Sequence, residues 1–491
     1  MEADNMGMIS YRSMLIVICS LIVFFNIKKR QWIVLLLTSL IVFVAFSGIG
    51  AAVYALITIV TVHLAANLMK KYPAYKKKLL IGTLVINFAL LAGLRYTLFE
   101  DVFSFYLDEI KTFAVPIGIS YYTFQMMSYL LDCYWEVTEP EKNIFKTALF
   151  CLYFPLLLSG PICRYDKLAP QFYEEHRFDY HRVSYGLIRV AYGLFEKLVV
   201  ADRLDANILD VPNMILIPIL IFPLQLYADF DGCMNIIMGV SECFGIVPEE
   251  NFRAPFYAKT IQEFWQRWHI TLGVWMKNYI MYPLLKSERF IRIGEKLKAR
   301  FGKKTGKQLT TWTATLVVWI CTGIWHGKGI KFVFGQGLWF WLVIVIEQIA
   351  ESRSKKRSAK GEQKADSRII NGLRVIRTYL LYCFGTIFFQ APTFPEAIGW
   401  ITSMVKDPYI IVNSIVHIPS IFINDFYLDA LALIGLAVMA AVDVFRYRGE
   451  CVRDLLHKKN YAFRLACYWL MSAMIILSLN QSAQEFLYSQ F

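Results

Sequence analysis

Trp325-His326-Gly327 separates two long apolar stretches, Leu309 to Ile324 and Ile330 to Ile349. Crossing the ~30 Å hydrocarbon core as a helix takes about 20 residues, so the string reads as the turn between two membrane passes. A histidine held inside hydrocarbon is costly and rare, and its default reading is a functional site. Imidazole titrates near pH ~6.5, which makes it the natural proton-transfer group at neutral pH. On this reading the chain is a membrane-embedded enzyme and His326 is its base.

The composition around that string agrees. The 491 residues are 57% hydrophobic and only 18% charged, whereas a soluble domain is ~45–50% apolar and ~25% charged. Further span-length runs are Ser13 to Ile27, Trp32 to Leu68 (long enough for two passes), Leu79 to Leu98, Leu428 to Val444 and Phe463 to Leu479. These runs are continuous rather than alternating, which argues against a β-barrel. The expected fold class is all-α, a polytopic membrane helical bundle forming a single integral membrane domain over 1–491. Residues 1–100 would supply N-terminal spans, 110–350 a catalytic core, 351–368 a cytoplasmic linker and 369–491 C-terminal spans.

The net charge of +13 sits between apolar segments, which is the positive-inside pattern of cytoplasmic loops. Nothing resembles a groove-reading module, so nucleic acid is not an expected partner. Met1 to Ser10 carries Glu2 and Asp4 and no basic residue, unlike a secretory n-region. Lys28-Lys29-Arg30 after the first span places the N-terminus outside. Carried forward, Lys70-Lys71 and Lys76-Lys77-Lys78 are cytoplasmic, the acidic stretch Glu100 to Glu109 is outside, and Lys286 to Lys307 and Glu351 to Arg368 are cytoplasmic. His326 then lies toward the outer half of the membrane. Lys286 to Phe301 reads as an amphipathic helix on the cytoplasmic surface, held by apolar burial and anionic lipid, or else as a solvated loop. Glu351 to Arg368 reads as a flexible linker.

Ten cysteines are scattered without a C-x-x-C pair. Zinc ligation and a disulfide framework both lack the spacing, and no metal site is expected. Between 112 and 285 the apolar runs are short and broken by Pro116, Pro155, Pro161, Pro170, Pro223, Pro248 and Pro255. Re-entrant or kinked helices survive at membrane depth only where protein buries them or they line a cavity. That stretch is therefore the expected site-bearing core.

Four constellations carry candidate chemistry. In Glu263-Phe264-Trp265-Gln266-Arg267-Trp268-His269, the residues Trp265, Trp268, Leu272, Trp275 and Tyr279 recur at helical spacing. His269 lies beside that stripe, and Glu263 and Arg267 are placed to pair. The same stretch also reads as an interfacial aromatic belt with a snorkelling arginine. Asp229-Phe230-Asp231-Gly232, followed by Asn235, holds two carboxylates after an apolar run; they either do acid–base work, hold a cation or end a span at the water interface. In Ser159-Gly160-Pro161-Ile162-Cys163-Arg164-Tyr165, Arg164 can clamp a carboxylate or an anionic donor, or it is one more positive-inside residue. Of the other histidines, His63 reads as a hydrogen-bonded core group, and His176, His181, His417 and His457 as surface residues. No H-E-x-x-H, G-x-S-x-G or Walker-type string is present, which argues against common hydrolase and NTPase chemistry.

Taken together these strings resemble the membrane-bound O-acyltransferase family, and within it the bacterial branch of alginate O-acetylation and teichoic-acid D-alanyl transfer proteins. The matching pieces stand in order over about residues 110 to 350. They run from Pro116-Ile117-Gly118-Ile119-Ser120-Tyr121-Tyr122-Thr123-Phe124-Gln125 through the Ser159 to Tyr165 and Asp229 to Gly232 strings. Asn251-Phe252-Arg253-Ala254-Pro255-Phe256, then Ile261 through Trp268-His269-Ile270-Thr271-Leu272 into Tyr282-Pro283-Leu284, and Thr322 to Gly327 complete them. Two departures stand out. Asp229-Phe230-Asp231-Gly232-Cys233-Met234-Asn235 replaces the usual Asp-Phe-Ser-Gly-Tyr-Ser-Asp, and Phe389-Gln390-Ala391 replaces Phe-Arg-Ala.

The resemblance implies helices around a central tunnel and acyl transfer from a thioester donor to a hydroxyl, with His326 and His269 as the catalytic pair. Trp325, Trp268, Arg267, Asp229, Asp231, Asn235, Gln125 and Arg164 are then substrate or tunnel candidates. His326 is expected to take the acceptor proton, and His269 to orient the acceptor or donate to the oxyanion. No cofactor is expected to be permanently bound. The implied donor is acyl carrier protein phosphopantetheine or acetyl-CoA on the cytoplasmic side. The implied acceptor is an extracellular polysaccharide or teichoic acid, with an accessory acyltransferase outside a bacterial plasma membrane. A transporter or flippase for a polysaccharide or lipid-linked intermediate would share the broken helices, but it needs no histidine pair.

Overall fold

The computed structural model describes residues 11–95, 118–209, 215–358, 367–416 and 426–479, and every regular element among them is helical. Met1 to Ser10, Glu100 to Glu109, Pro116-Ile117, residues 359–366 and His417 lie outside the described residues. Among the described residues, seven helices are long and apolar enough to cross a membrane: Gln31–Lys71, Pro73–Leu94, Leu216–Phe244, Ile330–Ser354, Arg368–Gln390, Tyr427–Arg448 and Tyr461–Ser478. The chain is a polytopic all-α membrane protein. Its exterior is rich in large apolar side chains, as a lipid-facing surface requires, while the interior is mainly apolar with a minority of buried polar groups. Leu56, Leu64 and Leu470 are more than half exposed, whereas Asn87, Gln125 and Asp229 are buried.

The described residues cluster into two compact units. One comprises residues 11–95, 118–193 and 233–249; the other comprises 194–209, 215–232, 250–358, 367–416 and 426–479. The Leu216–Phe244 helix contributes residues to both.

In the first unit the 41-residue Gln31–Lys71 helix is broken at Gly48, whose φ of 76° lies in the region that favours glycine. The long apolar run is therefore two helical segments. Gln31 ties Tyr11–Asn26 to a later turn: its Nε2 donates to the carbonyls of Phe24 and His176, and its Oε1 accepts from the His176 N–H. His176 is thus buried, not a surface residue, with its ring stacked on Phe24 at 6.0 Å. His63 is the expected core group, with Nδ1 2.9 Å from the Thr147 hydroxyl. His181 and His457 are exposed.

The second unit holds the expected hairpin. Lys303–His326 runs up to the Trp-His-Gly string, and after Gly327 to Gly329 the chain returns from Ile330. Lys303–His326 is more polar than the seven spans, with Lys303, Lys304 and Lys307 in its first turns and Thr311, Thr313, Thr315 and Thr322 beyond. The two limbs touch backbone to backbone at glycines. A Cβ on Gly323 would meet Val333 Cα at 2.7 Å, and one on Gly337 would meet the Trp319 carbonyl oxygen at 2.8 Å. Glu288–Phe301 is a helix, which removes the solvated-loop alternative. It lies against the start of the next helix, Gly294 facing Thr310 and Gly306 facing the Leu297–Lys298 backbone. Ile291, Ile293 and Phe301 remain exposed.

Two further expectations change. The linker Glu351 to Arg368 is not flexible at its start, because helix Trp339–Ser358 continues through it. The aromatic stripe from Trp265 to Tyr279 does not lie on one continuous helix. Helix Ile261–Trp265 stops, and a new helix, Ile270–Met276, starts after His269.

Candidate active site

The break at His269 has a specific cause. His269 adopts φ 47°, a left-handed conformation uncommon outside glycine and costing of order 1–3 kcal/mol. A neighbouring strip of backbone holds it there. The Arg253 N–H donates to the Arg267 carbonyl at 2.9 Å, and the Ile270 N–H donates to the Asn251 carbonyl at 3.0 Å. These bonds take the place of helical ones and turn the His269 ring out of the aromatic stripe. Trp268 stays in the stripe and is a core residue. It packs on Phe264, Phe252 and Tyr382 with ring centroids 5.0–5.5 Å away.

His269 is 1% exposed and His326 is 2% exposed. Trp325 is shared between them. Its ring lies 5.6 Å from that of His269 and 5.0 Å from that of His326, edge-on to both. Phe230 closes another side of His269 at 5.0 Å. Burial, followed by the neighbouring His326, holds the His269 pKa well below that of an ordinary histidine. Its ring is therefore neutral at neutral pH. Nδ1 of His269 faces Oδ1 of Asn251, which also accepts from the Thr271 N–H and hydroxyl. So two imidazoles, 57 positions apart in sequence, meet around one indole in a water-poor enclosure. Such a site can take a proton from a hydroxyl and enclose an ester-forming step.

The remaining candidates fall into place differently. Asp229 and Asp231 do not end a span at the water interface: both are buried mid-way along the Leu216–Phe244 helix. They are not a paired acid–base couple either. Residues two apart on a helix point in widely different directions, and each carboxylate has its own cation. Asp229 pairs with Lys197 at 2.7 Å, which also reaches Asp202 at 2.8 Å. Asp231 pairs with Arg446, next to Asp443, whose carboxylate accepts from the Tyr227 hydroxyl at 2.9 Å. The two ion pairs clamp the helix on either side of Phe230, which is how Asp-Phe-Asp presents that ring to His269. Arg267 is half-buried. It bonds Glu263 at 3.1 Å, donates to the Arg253 carbonyl at 3.1 Å and lies over the Tyr447 ring. The expected Glu263–Arg267 pair thus also secures the His269 break.

Gln125, Arg164 and Asn235 belong to the first unit and have partners there. Gln125 Nε2 donates to the Phe150 carbonyl at 2.6 Å. Arg164 pairs with Asp132 and Asp166 at 3.3 and 3.2 Å. Asn235 Oδ1 accepts from Arg189 Nε at 3.1 Å. Three residues at the histidines were not singled out from sequence: Asn251, Thr271 and Phe230. Their types are unremarkable, and the signal for them was their place in the matching strings Asp229 to Gly232, Asn251 to Phe256 and Trp268 to Leu272.

Residues 141–295 match the model of MBOAT, the membrane-bound O-acyltransferase family; the match includes His269 and stops short of His326. A probable alginate O-acetylase of Pseudomonas fluorescens is 31% identical over 286 residues, covering 56% of this chain and 51% of that protein. The peptidoglycan O-acetyltransferase of Helicobacter pylori is 28% identical over 299 residues, 53% of each chain. The teichoic acid D-alanyltransferase of Bacillus subtilis is 25% identical over 290 residues, 57% of this chain and 69% of that protein. The chain spans about half the length of the O-acetylating relatives it matches. With its helical membrane architecture, the chain is thus similar to the membrane-bound O-acyltransferase family over residues 141–295 and to these acyl-transferring relatives over about half of its length.

Proposed function

We propose that this protein transfers an acyl group, acetyl or D-alanyl, from a thioester donor to a hydroxyl of a cell-envelope polysaccharide or teichoic acid, with His326 as general base. The observation that carries this reading is the pair of buried imidazoles sharing Trp325. The names of the relatives supply the two acyl groups and the kinds of acceptor.

An alcohol is a weak nucleophile at its free pKa, so it needs a positioned base. His326 takes the hydroxyl proton as the oxygen forms its bond to the thioester carbonyl carbon. The tetrahedral intermediate then expels the thiolate as the C–S bond breaks, and His326 returns the proton to sulfur. Ester and thiol leave, the enzyme is unchanged, and no covalent enzyme intermediate is needed.

Helix geometry suits a transfer across the bilayer. Lys307 and His326 are 19 residues apart, about 28 Å of helix at ~1.5 Å per residue, close to the hydrocarbon thickness of ~30 Å. With the lysine end in the cytoplasm, His326 sits near the outer side. A carrier-borne thioester (acyl carrier protein phosphopantetheine or acetyl-CoA) would come from within and the acceptor from outside, meeting in a tunnel. An accessory acyltransferase outside a bacterial plasma membrane is a candidate partner.

The test is acyl transfer from a radiolabelled acyl thioester to polysaccharide or teichoic acid, using membranes that contain the wild type, His326→Ala or His269→Ala at matched folded levels. Loss of transfer in His326→Ala is expected, with a large loss in His269→Ala. Wild-type transfer by His326→Ala would end the base assignment. Movement of unmodified acceptor without thioester consumption would replace the enzyme reading by a transporter.

A further inference from the structure

Three donors converge on one oxygen beside His269. The Thr271 N–H nitrogen lies 3.1 Å from Oδ1 of Asn251, the Thr271 hydroxyl 2.7 Å and Nδ1 of His269 3.3 Å. A backbone N–H only donates, so the atom it meets is the carbonyl oxygen of the Asn251 amide and not its nitrogen. That oxygen only accepts, so Nδ1 of His269 carries a hydrogen. A neutral imidazole has a single N–H, which leaves the lone pair on Nε2. Neutrality follows from enclosure: the ring is 1% exposed and lies among Phe230, Trp325 and His326, and burial followed by His326 disfavours its charged form. Asn251 is itself immobilised. Its side chain is held by both donors of Thr271, and its own carbonyl accepts from Ile270.

We infer that Asn251 is a positioning residue that fixes His269 as the Nδ1–H tautomer, so that His269 serves the transfer as a hydrogen-bond acceptor through Nε2. This rests on the acyl-transfer reading and sharpens it. Two roles stood open for His269, orienting the acceptor or donating to the oxyanion. An acceptor hydroxyl, or the imidazolium formed on His326, can donate to Nε2. A developing oxyanion finds no hydrogen there. His269 therefore orients a donor, and stabilisation of the oxyanion falls to another group.

The direct test is nitrogen NMR of full-length protein labelled at histidine with 15N in lipid nanodiscs at neutral pH. The His269 signals are assigned by their loss in His269→Gln. A protonated Nδ1 and a bare Nε2 are expected; the opposite tautomer, or a doubly protonated ring, overturns the inference. The kinetic test compares Asn251→Leu, which offers no acceptor, with Asn251→Asp, which still offers an oxygen to all three donors. Asn251→Leu is expected to lower kcat about 10- to 100-fold with the donor KM unchanged, the usual scale for losing an orienting partner. Asn251→Asp should recover most of that loss. Wild-type kcat in Asn251→Leu, or equal losses in both folded variants, overturns the inference. Should Asn251→Leu fail to fold, the spectrum of the unsubstituted protein still decides. The parent reading fails separately: transfer that survives His326→Ala removes the base and leaves the tautomer standing.

Discussion

Gly323→Ala tests whether backbone contact between the hairpin limbs sets the position of His326. The added Cβ would lie 2.7 Å from Val333 Cα and 2.8 Å from the Phe332 carbonyl oxygen, both backbone atoms that cannot swing aside. Ordinary contact begins at 3.4 Å, so the limbs must separate by roughly 0.7 Å one turn before His326. Overpacking of this kind costs about 1–3 kcal/mol. A displacement approaching 1 Å at reacting groups costs on the order of 10²-fold in rate. The expected result is a lower Tm and a kcat reduced roughly 10- to 100-fold. The assay is thermal unfolding of purified protein alongside transfer from a labelled thioester. Gly372→Ala is the control, because nothing lies within 4 Å of a Cβ there and Gly372 is also helical. That substitution should stabilise by about 0.5–1 kcal/mol through helix propensity alone. Gly323→Ala with wild-type Tm and kcat would refute the argument that close limb contact positions the histidine.

Three other perturbations probe the supports. Lys197→Met strips the shared cation from Asp202 and Asp229, which lie 2.8 and 2.7 Å away in a buried setting. Removing one partner of a buried ion pair costs about 3–5 kcal/mol, so chemical unfolding should show the largest loss of the set, and a loss below ~1 kcal/mol would contradict it. Burial pushes Asp202 up to about 6, against the pull of Lys197. Its folded pKa thus exceeds the unfolded value near ~3.9, and its contribution to stability is complete below that value and lost as pH rises through 6. Asp202→Asn should flatten the Tm profile between about pH 4 and 6, and an unaltered slope would count against the assignment. Glu347→Ala removes the carboxylate that accepts from the Ile261 N–H and pairs with Arg377, which in turn donates to the Lys259 carbonyl. The loss, about 1–2 kcal/mol on the scale of a helix cap, should appear as faster hydrogen exchange in residues 259–269; unchanged exchange there would remove Glu347 from the support of His269.

How much of this was legible beforehand depends on the distance over which each feature is determined. The Trp-His-Gly hairpin is local. Two apolar runs and a Gly-containing gap specify it, and the turn falls where the string does. The aromatic stripe is half local. Helical spacing correctly marks Trp268, Leu272, Trp275 and Tyr279 as one buried set, because periodicity reports which side chains share an apolar environment. It cannot report where the backbone leaves the helix, since the bonds that hold His269 left-handed come from Asn251 to Arg253. Long-range pairing is invisible in the same way. Asp229 and Asp231 look like a span end because Lys197 stands 32 positions from the first and Arg446 stands 215 from the second. His176, set among charged neighbours, looks like surface until Gln31, 145 positions earlier, closes on its backbone.

The same distinction separates what a motif says about chemistry from what it leaves open. A histidine in an apolar string is by default a candidate proton-handling group, although His63, bonded to the Thr147 hydroxyl inside a span, shows that it can also be a core residue. The string says nothing about which ring nitrogen bears the hydrogen. That choice belongs to Asn251, 18 positions before His269, an uncharged residue in a stretch with no periodicity and no spacing rule. If the protein carries out the proposed transfer, whether His269 accepts or donates is set by the partner of its other nitrogen, so two histidines that share one indole and one enclosure can have different tasks.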